Sequence, residues 1–544
     1  LRRRSDAGIA AGVAAAAALL LFANLGAVYL WQDEAATAVL GRRLLEHGKP
    51  LAYDGRNLIT MDHFLPEAPD AVRQRAAEPA AAIAHAVRRH EFRADTTWTG
   101  QPWGQFLVAG LSIAAFGSTT LAARAPFALA GVLAVLLFLR LVRREGGRRD
   151  LALAALVLLL SNAYWILHLR QCRYYALSSL ALVASVAAFL RWRDGRRFGA
   201  ALFVATAWAY FQVDYGSFWP SLAALFAYAA LSERRAWPRL RPILATGLVL
   251  LAAVLPWVLY YELPERFQES TLDFARRLTG HARLFDRYVL ALPVALLAAA
   301  AFAALRARLA PGLRRLLALS LGIVSLDLLW ITLTTPHPFL RYQIQLVPLA
   351  CLLAAWIAWD VLGGGPAAPL ARRAAGAATL ALLALTPWAS APFGWLAPPA
   401  AGPERAGVLR AELGILAREL FTRRPDPNRD VIEWVRAHTA PGDEILVTYE
   451  DVPFLFYTEL RVRGGIAAFR VLDETAEPPR IAVLRAAPFL HREPFREALA
   501  RQRWRFERVP TPDAVWGNNP DPAGQYWNLP RDPAGVRVAE RVGP

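Results

Sequence analysis

Apolar runs of about 20 residues, separated by short arginine clusters, recur along this chain from its start to residue 392. A helix rises about 1.5 Å per residue, and the hydrocarbon core of a bilayer is about 30 Å thick. Runs of this length therefore read as transmembrane helices. The candidate spans are 8–30, 121–142, 150–168, 174–190, 198–213, 216–231, 242–261, 286–304, 316–334, 342–362 and 374–392, with a shorter apolar piece at 105–117. The expected fold class is an all-α polytopic membrane domain of about 11 transmembrane helices, followed by a small α/β C-terminal soluble domain.

Composition agrees. Of 544 residues, 56% are hydrophobic and only 19% charged, less charge than a soluble protein of this length carries. The net charge of +17 could suggest a nucleic-acid partner. The arginines, however, sit between the apolar runs, as the positive-inside rule arranges them, so no nucleic acid is expected. Cys172 and Cys351 lie in or beside apolar stretches, and their spacing fits neither a zinc nor a redox motif. The first run, Ile9 to Leu30, follows Arg2-Arg3-Arg4 and is too long for a signal-peptide core. It reads as a first transmembrane helix with a cytoplasmic N-terminus.

The arginine clusters at 2–4, 140–149, 191–197, 234–241, 306–315 and 372–373 set the parity. If all are cytoplasmic, residues 31–104, 169–173, the turn at Asp214, 262–285, 335–341 and everything after 392 lie outside. Segment 105–142 is then one net crossing, with 105–117 juxtamembrane or half-inserted. The resulting division is a first transmembrane helix (1–30), a large extracytoplasmic loop with amphipathic juxtamembrane helices (31–104), the remaining transmembrane helices (105–392) and an extracytoplasmic α/β domain (400–544). In the loop, Gly41 to Glu46 and Ala80 to Phe92 look amphipathic. In the tail, Glu444 to Tyr449 and Arg480 to Leu484 read as strands and Asp430 to His438 as a helix.

Ionisable residues at membrane spans are costly and become functional candidates by default. Several gather on the outer side: Asp33 and Glu34 after the first span, Arg170 and Arg173 in His168 to Tyr175, Asp214, and Arg341 after Pro336-His337-Pro338. Carboxylates facing arginines at one membrane surface suit a lipid-phosphate substrate. Arginine grips phosphate through two N–H groups, and a carboxylate can take the proton of an acceptor hydroxyl. Asp214 also reads as a turn residue, and Arg170 and Arg173 as snorkelling anchors. Arg124, inside an apolar stretch, needs a partner, whether carboxylate or substrate.

The ordered set of short motifs resembles a family. Asp33-Glu34, Gln101-Pro102-Trp103, Phe116-Gly117-Ser118, Ala123-Arg124-Ala125-Pro126, Arg170 to Tyr175, Arg341-Tyr342 before Pro348, and Pro441-Gly442-Asp443 with Phe456-Tyr457 are similar to pieces of the GT-C membrane glycosyltransferases, in the group of protein O-mannosyltransferases and bacterial aminoarabinose transferases. The resemblance implies a GT-C-like fold and an inverting transfer of sugar from a polyprenyl-phosphate donor to a hydroxyl of a lipid, glycan or protein at the extracytoplasmic face. It implies a multi-pass protein of the bacterial inner (cytoplasmic) membrane. Asp33 is the expected base, with Glu34 beside it. Arg170, Arg173, Tyr174, Tyr175, Arg341, Tyr342, Arg124, Gln101, Trp103, Asp62 and His63 are the expected substrate and phosphate contacts. No cofactor is required, and no metal ligand is assigned; a divalent cation near Asp33 and His63 is compatible with the chemistry.

Two positions depart from the aminoarabinose transferases. Ala35-Ala36-Thr37 follows Asp33-Glu34 where an arginine is usual, and Gly100-Gln101-Pro102 stands in place of a Lys-Pro-Pro-like segment. Phosphate binding then leans on Arg170, Arg173 or Arg341, or on Arg266, Arg276 and Arg277 of loop 262–285. The rival classes are a membrane transporter or lipid flippase, and a non-catalytic envelope assembly protein. Transporters often carry inverted repeats, and none is evident here. The assembly reading leaves Asp33 and the outer arginines unexplained.

Overall fold

A computed structural model describes residues 2–59, 86–87, 90–233, 237–266, 273–335, 337–385, 411–422, 425–464, 479–485, 502–513 and 533–543. The chain is mostly helical with a small C-terminal sheet. Its helices are α1 (Arg2–Phe22), α2 (Gln32–His47), α3 (Gly104–Phe116), α4 (Thr120–Gly146), α5 (Arg149–Leu160), α6 (Ala163–Leu169), α7 (Tyr175–Arg193), α8 (Gly199–Phe211), α9 (Tyr215–Glu233), α10 (Trp237–Tyr260), α11 (Phe274–Leu284), α12 (Leu292–Leu305), α13 (Pro311–Thr334), α14 (Val347–Ala355), α15 (Leu370–Leu385), α16 (Ala411–Phe421), α17 (Pro427–His438) and α18 (Val452–Tyr457).

A helix stands at each expected span. Among the described residues, 5 helices are long and apolar enough to cross a membrane, or up to 7 if each of two bent pairs is one span. One such pair is α5 with α6, bent by 73° where Asn162 accepts the Trp165 N–H and starts a new helix. Outward-facing Leu244, Leu248, Leu255 and Leu259 on α10 form the kind of exposed apolar surface that lipid covers. The chain is a multi-pass membrane protein.

α3 has 13 residues, a length of about 20 Å, short of the hydrocarbon thickness. Gly117, at φ 85°, ends it, and Thr119 caps α4 by accepting the Ala122 N–H. α3 packs on α2 at very close range. A Cβ on Gly110 would stand 2.3 Å from the Gly41 carbonyl oxygen, so only glycine fits that crossing. Amphipathic Gly41 to Glu46 is thus part of α2. Expected helix 80–92 lies largely outside the described residues.

The C-terminal sheet comprises β1 (Glu444–Val447), β2 (Arg461–Gly464), β3 (Ile481–Leu484), β4 (Arg503–Val509) and β5 (Val536–Gly543). Their spatial order is β2-β1-β3-β5-β4. β1 runs parallel to β2 and β3, and β5 runs antiparallel to β3 and β4. Its core joins Ile445, Val447, Ile481, Val483 and Val538 to Val431, Ile432 and Val435 of α17. That helix starts three residues before the expected Asp430, because Asp426 accepts the Arg429 N–H and Pro427 sits in its first turn.

The membrane helices have two distinct ends. At one, Arg144 and Arg315 both pair with Asp194, and Arg315 with Glu145. This joins the ends of α4 and α7 to the start of α13, and so gathers three arginine clusters. The other end holds Asp33, Arg173, Asp214 and Arg341.

Candidate active site

Asp33 lies in the first turn of α2. Arg173 comes from the turn between α6 and α7, and Arg341 from a single 3₁₀ turn, Leu340–Tyr342, after α13. The three meet. Asp33 Oδ2 lies 3.4 Å from Arg173 Nη2 and accepts a hydrogen bond from Arg341 Nη1 at 3.2 Å. Arg173 Nη1 also donates to the Asp33 carbonyl and to Thr37 Oγ1, each at 3.3 Å. The Arg341 guanidinium lies 4.4 Å from the Phe339 ring centre and 5.4 Å from that of Tyr342, within cation–π range.

Both arginines line a cavity of about 520 Å³, a size usual for small-molecule sites. Gln101, Tyr174, Asp214 and Tyr342 share its polar side; Trp219, Val258, Leu263, Trp330 and Ile331 make an apolar wall. Asp33 is not itself a lining residue. It stands behind the two arginines with its side chain 19% exposed. Among the described residues, Arg341 makes no hydrogen bond besides the one to Asp33, and Arg173 Nε is buried without a partner. A guanidinium has five N–H donors, so both arginines keep spare donors in the wall of a cavity with room for an anion.

Other expected site residues are placed differently. Glu34, expected beside Asp33 in catalysis, is fully buried and paired bidentately with Arg124. Arg124 Nε donates to Oε1 at 2.8 Å and Nη2 to Oε2 at 2.6 Å. Glu34 Oε1 also accepts the Cys172 N–H at 2.7 Å. Arg124 spends its remaining donors on the carbonyls of Leu25, Val28 and Tyr29. The pair ties α4 to the end of the first span and has no face toward the cavity.

Arg170, expected on phosphate, instead donates to the carbonyls of Leu20 and Ala23 at 2.8 and 2.7 Å. There it satisfies the end of α1, where carbonyls lack helical partners. Tyr175 is buried beneath the cavity, packed edge-on against His168. Trp103, expected on substrate, donates its indole N–H to the Trp98 carbonyl and packs among Trp257, Tyr260 and Tyr261. Asp214 caps α9, accepting the Ser217 N–H at 3.1 Å and the Ser178 hydroxyl at 2.7 Å. Arg266, Arg276 and Arg277 are not among the described lining residues. Asp62 and His63 lie outside the described residues, and among those described no group of three or more His, Cys, Asp or Glu could hold a metal.

Two polar residues in or near the site are not singled out by the sequence, Gln105 on the cavity wall and Asp327 within α13. Gln105 bridges Thr37 to Gln101, linking the Arg173 partner to the cavity mouth. Asp327 is fully buried within α13, with Gln345 Nε2 3.5 Å from one of its oxygens. A lone carboxylate inside span 316–334 was the available signal. For the glutamines no such signal exists, because an uncharged amide scarcely disturbs hydropathy.

No family model and no curated protein matches the sequence. Solved structures do match in three dimensions. Two of them are ArnT from Cupriavidus metallidurans bound to undecaprenyl phosphate, with TM-score 0.56, 15% identity and 99% of each chain covered, and the same protein in the apo state, with TM-score 0.55, 15% identity and 98% of each chain covered. At this identity the likeness is one of fold. Along nearly its whole length, the chain has the fold of ArnT.

Proposed function

We propose that the chain is an inverting membrane glycosyltransferase, moving a sugar from a polyprenyl-phosphate donor to an acceptor hydroxyl at the extracytoplasmic face. The observation that carries this reading is the set of spare donors on Arg173 and Arg341, held by Asp33 at the head of a largely apolar cavity. The phosphate of the donor takes up those donors. The apolar wall of Trp219, Val258 and Leu263 suits the first isoprene units. That ArnT structure holds undecaprenyl phosphate is further support for a lipid-phosphate ligand of this fold.

The acceptor oxygen attacks the anomeric carbon as the bond from that carbon to the phosphate oxygen breaks. The acceptor proton passes to the Asp33 carboxylate. Polyprenyl phosphate leaves with the bonding electrons, and its added negative charge meets Arg173 and Arg341, where preorganised donors are most effective. These arginines also hold Asp33. An arriving phosphate draws them away and frees the carboxylate for the acceptor. Lipid, glycan and protein acceptors all offer the required hydroxyl.

The test is purified protein incubated with a panel of polyprenyl-phosphate sugars, scoring release of polyprenyl phosphate. Release from at least one donor, abolished in Asp33→Asn with the melting temperature unchanged, is the expected result. Wild-type release by Asp33→Asn would overturn the assignment.

A further inference from the structure

α2 carries Asp33 but starts without a cap of its own. Trp31 holds the N-cap position in extended backbone and offers the first turn no side-chain hydrogen bond. Helix starts leave N–H groups that need acceptors. Here the acceptor comes from the C-terminal domain: Glu450 Oε2 accepts the Gln32 N–H at 2.9 Å. The Gln32 side chain is held at both of its polar atoms. Its Nε2 donates to Asp451 Oδ1 at 2.6 Å, and its Oε1 accepts the Val452 N–H at 3.2 Å. Just upstream, Tyr457 Oη accepts the Leu30 N–H at 3.0 Å and Asp426 Oδ2 the Tyr29 N–H at 2.7 Å. The rings of Tyr29 and Tyr457 stack with centres 3.9 Å apart.

Glu450 adopts φ 60°, a left-handed backbone that residues with a Cβ seldom take. Such conformations persist where the surroundings over-determine them, and they cluster at functional sites. This one aims a fully buried carboxyl at the start of the helix bearing Asp33. Asn428 Nδ2 steadies the same oxygen at 3.2 Å.

We propose that the C-terminal domain clamps the segment carrying the reaction's base, with Gln32 as the positioning residue that sets Asp33 against Arg173 and Arg341. The proposal rests on the glycosyl-transfer reading. A base must lie within hydrogen-bond reach of the proton it takes, and a misplacement of about 1 Å costs about 100-fold in rate. Gln32 touches neither substrate nor cavity. Its effect therefore falls on the chemical step and leaves donor binding to the arginines.

The experiment uses the full-length protein with Gln32→Ala, Asp451→Ala and Asp451→Asn, the last keeping the Oδ1 acceptor. Both alanine variants are expected to lower kcat by about 10- to 100-fold while the donor KM stays within about twofold. Asp451→Asn is expected to keep wild-type kcat. Hydrogen–deuterium exchange at amides 33–37 is expected to quicken in the alanine variants alone. Unchanged kcat, unchanged exchange, or a kcat loss that tracks a fall in melting temperature would each overturn the clamp. If the wild type releases polyprenyl phosphate from no donor, the glycosyl-transfer reading falls, and exchange at 33–37 by itself decides the clamp.

Discussion

Arg341 meets Asp33 on one side and aromatic faces on the other. Lysine there would keep the charge but lose both the planar fork and the stacking. A charge-assisted hydrogen bond contributes about 1.5–3 kcal/mol, so Arg341→Ala should weaken polyprenyl-phosphate binding roughly 10- to 100-fold, with Arg341→Lys recovering only part. Direct binding of the lipid phosphate measures it. Glu450 gives a second test. Burial raises its carboxyl to about 8 from 4.5, with Arg485 opposing and Asp451 adding to the rise. Arg485 is itself paired with Asp513, and Asn428 and Gln32 supply neutral contacts. Because the folded value exceeds the unfolded one, this stability is full below about 4.5 and is lost as pH rises toward about 8. Glu450→Gln should flatten that part of the slope between pH 5 and 9, read from melting temperatures of variant and wild type. At this scale the sequence shows that charged residues near spans need partners, but it does not say which partner each finds. Arg170 and Arg173 look alike in Arg170-Gln171-Cys172-Arg173, yet one closes a helix end and the other faces the cavity. That choice depends on the rotation of a short turn, and neighbouring residue types do not encode it.

The crossing of α2 and α3 sets the depth at which Asp33 and Gln105 sit, and it depends on contact between Gly41 and Gly110. Gly110→Val should force the helices apart at a cost of about 1–3 kcal/mol, lowering the melting temperature and loosening the Thr37–Gln105 link. A thermal melt of the variant in detergent checks it; an unshifted midpoint would mean that the backbones part without cost. Helix positions were readable because hydropathy over about 20 residues is a strong signal. Breaks inside the spans were not. The bend between α5 and α6 depends on one asparagine side chain, which a hydropathy average smooths away. In the tail, β1 and β3 stood out as apolar runs. β4, Arg503 to Val509, did not, because most of its side chains are exposed and charged residues alternate along it.

Across the whole molecule, charge is sorted between two ends: a network of Arg144, Arg315, Asp194 and Glu145 at one, and the cavity with its arginines at the other. The first network joins helix ends that carry three of the six arginine clusters, 140–149, 191–197 and 306–315. The docking of the tail on the first span was beyond sequence reasoning, because Gln32 and Glu450 are 418 residues apart and neither lies in a motif. That separation imposes an order in time. At about 5–20 residues per second, translation needs roughly 20 to 80 s to reach Glu450 after Gln32 has been made. Through that interval the segment bearing Asp33 exists without its cap, so any nascent or prematurely ended chain carries Asp33 but lacks the contacts that hold it in place.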